Sequence, residues 1–174
     1  GGEPGIGKTR LAEEIRLEAE KRDFRSLIGH CVEQGGAPYM PIVEILETAI
    51  KAVDPAVLRS ALGDTAPEVA RVVPHLRRMF PDIPAPLELP PEQERRYLFN
   101  SIQDFLARAS AIRPQLLVLD DLHWADDATL LLVQHLAEGI SGMRVLLVGT
   151  YRDVELDSSR PLARTLEDFL RRRL

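Results

Sequence analysis

The chain has 174 residues, 45% of them hydrophobic and 28% charged, with a net charge of −5 and a pI near 5.4. That is the size and balance of one globular domain with a real core, and the acidic excess speaks against a general nucleic-acid binder, whose phosphate contacts need a basic face. A single cysteine, Cys31, excludes an internal disulfide and suits a reducing compartment; with no apolar run near the ~18 to 20 residues that span a bilayer, the chain is read as cytoplasmic and membrane-free.

The first element is a loop. Gly2-Glu3-Pro4-Gly5-Ile6-Gly7-Lys8-Thr9 fits the phosphate-binding pattern G-x-x-x-x-G-K-[ST] at every position. Gly5 and Gly7 suit a backbone that must wrap phosphate oxygens with N–H groups where a Cβ would intrude. Lys8 would reach the β- and γ-phosphates, Thr9 would place its hydroxyl on Mg²⁺, and the helix beginning there would aim its positive end at the anion. The competing reading is a Gly-rich turn before an ordinary helix. Leu11, Ile15 and Ala19 give that helix an apolar stripe to about Arg22. Almost nothing precedes the loop, so the strand that normally supports one is expected to be missing, and the chain is read as an incomplete piece.

Residues 25–32 read as a short strand followed by a Gly35-Gly36 turn. Pro41 suits a first helical position, and Ile42, Ile45, Leu46, Ala49, Ile50 and Val53 keep helical period after it. Val69, Val72, Val73, Leu76 and Phe80 predict a later helix. Five prolines in residues 81–91 break regular structure there. The next helix is expected from about Glu92 to Ala111, with Leu98, Ile102, Phe105, Leu106 and Ala109 on its core side and Pro114 beyond its end. Residues 41–112 thus form a helical insertion.

Residues 115–119 are a continuous apolar run, the pattern of a strand buried on both faces of a parallel sheet, and residues 144–149 are a second such run. Between them Asp126 and Asp127 open a helix that Gly139 ends. Strand, helix and strand in this arrangement imply a parallel, right-handed crossover. The Arg171-Arg172-Arg173 run reads as a solvated helix end.

Leu116-Leu117-Val118-Leu119 ends in Asp120 and Asp121, which puts two carboxylates at the C-terminal end of a buried strand, the edge of an open α/β sheet where ligands bind. Asp120 is the candidate Mg²⁺ contact and Asp121 the candidate for orienting an attacking water; the competing reading is a helix cap or a pair of solvated turn acids. Thr150 and Arg152 follow the second run, placed to sense or stabilise a γ-phosphate, although a surface ion pair of Arg152 with Asp153 or Glu155 would explain the arginine as well. For His123 a structural role is favoured over metal ligation, and for Trp124 packing over base stacking.

Gly2 to Leu11, Leu119-Asp120-Asp121-Leu122-His123-Trp124-Ala125-Asp126 and Leu147-Val148-Gly149-Thr150-Tyr151-Arg152-Asp153 together resemble the signature blocks of the STAND class of signal-transduction ATPases. The resemblance is closest to the AAA-type module of large ATP-binding LuxR-type regulators and of bacterial nucleotide-cyclase and kinase proteins. It spans nearly the whole chain, and Tyr39-x-Pro41 and Pro90-Pro91-x-x-x-Arg95 sit where that family has similar elements. It implies an α/β P-loop three-layer sandwich with a parallel sheet, incomplete at both ends. It also implies an ATP- or ADP-bound switch. Gly2, Glu3, Pro4, Gly5, Ile6, Gly7, Lys8, Thr9 and Arg10 would cradle the nucleotide, Thr9 and Asp120 the Mg²⁺; Asp121 would be the catalytic acid, Lys8 the phosphate lysine and Arg152 the sensor. Implied partners are attached sensor and effector domains, with DNA-binding, cyclase or kinase output.

The expected function is therefore a single ATP-binding, slowly hydrolysing module that biases two conformations of its neighbours. A nucleotide-binding scaffold without turnover shares the same residues. An origin-recognition-like ATPase would be marked by a basic winged-helix segment downstream, and the acidic balance here speaks against it; no N-K-x-D-like element supports a GTPase, and no acceptor site supports a small-molecule kinase.

Overall fold

The computed structural model describes residues 8–33, 36–152 and 161–172, with Lys8 and Thr9 as backbone only. The loop Gly2 to Gly7, the Gly35 turn, Asp153, Glu155 and Arg173 lie outside the described residues.

The described elements, in chain order, are α1 (Lys8–Lys21), β1 (Arg25–His30), α2 (Met40–Lys51), α3 (Pro55–Leu62), α4 (Ala66–Val72), α5 (Leu76–Met79), α6 (Pro91–Ile112), β2 (Gln115–Asp120), α7 (Asp127–Gly139), β3 (Val145–Gly149) and α8 (Pro161–Arg172). Single 3-10 turns occupy Gly63–Thr65 and Leu122–Trp124. The three strands form one parallel sheet in the order β1-β2-β3, with Arg25 opposite Gln115 and His30 opposite Asp120.

Strand alternation distributes β2 between two cores. Leu116 and Val118 meet Ala19 and Ile15 of α1, while Leu117 and Leu119 join the larger core built with Ile45 of α2, Ile102 of α6 and Leu132 of α7. Helices therefore cover the central strand from both sides, which is why Gln115 to Leu119 are all buried. This is the α/β, parallel-sheet arrangement expected of a P-loop fold.

The second apolar run behaves differently from the first. β3 is only partly buried, and Leu146 is 44% exposed. Among the described residues β3 pairs on one side only, with β2, and α1 packs chiefly on β1 and β2. Apolar composition alone could not distinguish these two situations.

The stripe from Val69 to Phe80 is two short helices, not one. α4 stops at Val72, and Val73 takes φ −122°, ψ 77° because Pro74 disfavours the helical region for the residue before it. Helix α3 carries no sequence expectation. Asp54 caps it by accepting from the Ala56 N–H at 2.8 Å, and Arg108 of α6 closes its other end, donating from Nε to the Ala61 carbonyl at 2.7 Å and from Nη2 to the Leu62 carbonyl at 2.9 Å. α7 runs through Gly139 and is capped at Ile140, so that glycine is its last residue and not its terminator.

Residues 81–90 have no regular structure, as their prolines require, and two arginines hold them. Arg77 donates to the Ile83 and Pro84 carbonyls at 3.0 and 2.9 Å. Arg71 donates to the Leu87 carbonyl at 3.1 Å and also pairs with Glu68 and Glu94. At the sheet edge, Gly29 is required by proximity: a Cβ there would lie 2.0 Å from the Pro41 carbonyl oxygen, so its absence lets α2 begin against the end of β1. Among the described residues no helix is long and apolar enough to cross a membrane.

Candidate functional site

Parallel strands deliver their C-terminal ends to one edge, so His30, Asp120 and Gly149 finish together there. Asp120 is half-buried. The next residue, Asp121, turns the chain sharply with φ 56° and ψ 44°, a left-handed conformation that aspartate tolerates better than most side chains.

Thr150, 8% exposed, fastens this turn to β3. Its hydroxyl donates to Asp120 Oδ1 and accepts from the Asp121 N–H at 3.0 Å. The backbone supports the same junction: the Thr150 N–H donates to the Leu119 carbonyl at 2.9 Å, and the Leu122 N–H donates to the Thr150 carbonyl at 2.8 Å. A Cβ on Gly149 would sit 2.4 Å from Leu122 Cδ1, so glycine there makes room for the turn. One hydroxyl thereby fixes the carboxylate of Asp120 and the backbone of Asp121.

Two other elements close on this edge. From β1, the Cys31 N–H donates to the Asp120 carbonyl at 3.0 Å, and His30 is held by Glu44 of α2 through its N–H at 2.8 Å and its Nδ1 at 2.9 Å. From α7, Asp126 caps the helix by accepting from the Thr129 N–H at 2.9 Å and also accepts from the Thr129 hydroxyl. Thr129 Oγ1 in turn accepts from the Tyr39 N–H at 3.1 Å, tying the start of α2 to the start of α7. Tyr39 is left-handed at φ 67° and stands edge-on to Phe99, with ring centroids 5.9 Å apart.

The site's electrostatics are read most directly at Cys31. Burial, followed by the charges of Asp126, Asp121, Asp120 and Glu44, pushes its thiol up to about 12. Four carboxylates thus surround one small apolar side chain, and the edge favours a cation. Among the described residues no group of three or more His, Cys, Asp or Glu is arranged to hold a metal ion alone. A cation here would complete its shell with water and with oxygens of a bound anion, as Mg²⁺ characteristically does.

The structure therefore gathers Asp120, Asp121 and Thr150 at one point. Arg152 lies two residues beyond Thr150 and is half-buried. The backbone of Lys8 and Thr9 opens α1, and Arg10 is exposed in its first turn. His123 has a buried side chain, 3.8 Å from Asp121 Oδ1 through Nδ1, and lies against Trp124, which packs on the main core. Sequence reasoning did not place His30, Cys31, Glu44 or Thr129 in the site. The signal for the first two was available, because β1 ends on the same edge as β2.

Residues 1–148 match the model of a family described as AAA ATPase domain. No curated protein matches the chain.

Proposed function

The chain belongs to the AAA ATPase domain family, a nucleotide-binding ATPase module whose members generally bind ATP or ADP with Mg²⁺, and from that premise we propose that it hydrolyses ATP slowly to drive a conformational switch. The observation that carries the reading is the Thr150 clamp, which fixes the Asp120 carboxylate and the Asp121 backbone at the sheet edge downstream of a complete phosphate-loop sequence.

In this reading Gly2 to Arg10 form the nucleotide cradle, Lys8 meets the phosphates, and Thr9 with Asp120 would hold Mg²⁺. The donor set fits that ion: hard oxygens, few protein ligands and an acidic surround. When bound, Mg²⁺ supplies charge neutralisation along the phosphates. Asp121 orients and deprotonates the attacking water, its position fixed through its own N–H by Thr150. Arg152, at the end of the neighbouring strand, responds to the γ-phosphate. No covalent intermediate is needed, because positioning and charge stabilisation suffice for phosphoryl transfer. Loss of the γ-phosphate would change contacts on β3 through Thr150 and Arg152, and that difference is what a switch transmits.

The finer assignment, a STAND-class regulatory ATPase with sensor and effector domains attached, rests on the signature blocks quoted above. The whole chain is proposed to act as one module, with residues 41–112 as its helical insertion. A scaffold that holds nucleotide without turnover is the second reading, supported by the same clamp. Mg²⁺-dependent ATP turnover, with bound nucleotide measured separately, decides between them. The switch predicts turnover that falls at least about 100-fold in Asp121→Asn with nucleotide still bound, and lost binding in Lys8→Ala. Binding without turnover in the parent chain would establish the scaffold. Normal turnover in both variants would refute the assignment altogether.

A further inference from the structure

A cavity lies at the opposite end of the strands from Asp120. Arg25 and Gln115, the first residues of β1 and β2, open onto an apolar cavity of about 40 Å³ enclosed by α2, α3 and α6. Its walls include Ile45, Ala49, Ala61, Phe105 and Ala109. On the scale where one water needs roughly 10–15 Å³, that space admits three or so carbon atoms, and its walls are mostly apolar, with Arg25, Arg113 and Gln115 as the polar exceptions. The rim is apolar too: Val57 is 39% exposed and Ile112 57% exposed, both beside the opening.

Two guanidinium groups stand at this mouth. Arg113 is occupied, donating to the Asp23 carbonyl at 2.9 Å and pairing with Asp23 Oδ1 at 3.0 Å. Arg25 has no acidic partner among the described residues. Burial and then the charge of Arg113 hold its guanidinium below its ordinary range, so the field there favours an anion. A half-buried arginine without an acidic partner at the lip of an apolar cavity gains from a ligand that supplies the opposite charge.

We propose that this cavity binds a short aliphatic carboxylate, its tail among Ala49, Ala61 and Ala109 and its carboxylate on Arg25. A long acyl chain is excluded by the volume, and a neutral alkyl ligand would leave Arg25 uncompensated. The site is separate from the nucleotide edge by the length of β1, roughly 17–20 Å for a strand of this size, and its binding requires no nucleotide.

The test is a titration of the chain with butanoate and, separately, with butan-1-ol, followed by NMR of the alanine methyl groups. Butanoate should shift Ala49, Ala61 and Ala109 saturably, with the millimolar affinity expected of so small a ligand, and at least about tenfold more tightly than butanol. Arg25→Gln should erase that preference while leaving butanol binding intact. Ala109→Leu, which fills the cavity, should abolish both; should that variant not fold, Ala61→Val serves the same end. Unshifted methyls, equal affinity for the two ligands, or undiminished binding in a folded cavity-filled variant would each overturn the proposal.

Discussion

Replacing Thr150 with valine keeps the shape of the side chain and deletes only the hydroxyl that joins Asp120 to Asp121. Two hydrogen bonds go with it: donation to the Asp120 carboxylate and acceptance from the Asp121 N–H. A bond to a charged group is worth about 1.5–3 kcal/mol and a neutral one about 0.5–1.5 kcal/mol. Asp120 and Asp121 are only half-buried, so water replaces part of the loss, and the expected destabilisation is about 2 kcal/mol. The functional cost is larger than the stability cost suggests. Asp121 sits in a left-handed conformation that carries about 1 kcal/mol or more of strain; without its anchor it relaxes, and turnover should fall roughly 10- to 100-fold with nucleotide affinity nearly unchanged. Urea unfolding and steady-state ATP hydrolysis, each on Thr150→Val and Thr150→Ser, measure both effects, and serine should recover most of each. If valine is as stable as threonine and turns over ATP normally, the clamp does not organise the site.

In the helical insertion, Glu68 is 2% exposed and depends on Arg71, so Arg71→Ala should destabilise by about 3–5 kcal/mol by leaving a buried charge unpaired. Adding Glu68→Gln should return much of that loss in urea titrations. The raised thiol of Cys31 predicts a pH dependence: the folded state keeps the proton while the unfolded chain loses it near 9, so stability should fall as pH rises from about 9 towards about 12. Cys31→Ala should lack that component of the alkaline decline, which parallel urea titrations at several pH values will show. Parallel alkaline declines in the two proteins would contradict the burial of the thiol.

The order of legibility follows the range of the interactions. Gln115 to Asp120 could be read because a strand covered on both sides must be apolar throughout, whatever its neighbours are. The same rule misjudged β3, since Leu146 has the composition of a buried residue without the cover. Pro74 was visible in the sequence, yet the stripe from Val69 to Phe80 satisfied helical spacing across it, and periodicity outweighed punctuation. Asp120, Asp121 and Thr150 followed from the sheet-edge rule alone. The shared hydroxyl of Thr150 did not, because it depends on register between strands. Tyr39 and Thr129 were still less accessible: they meet across a separation of 90 residues, which no local pattern encodes.

That separation bears on how the molecule assembles itself. β2, α7 and β3 are consecutive, so the junction of Asp120, Asp121 and Thr150 closes over a short stretch of chain, whereas β1 reaches its place beside β2 only after α2 to α6 have been accommodated. Loop closure grows slowly with length, about 0.6 kcal/mol per doubling, but the search for distant pairings is what slows folding. The carboxylate pair and Asp126 thus belong to the locally connected part of the chain, while Glu44 and the end of β1 join them only when the long-range pairing of β1 with β2 is made. A complete chain refolding from denaturant would therefore set Asp120 and Asp121 beside Thr150 before Glu44 and the end of β1 close on them.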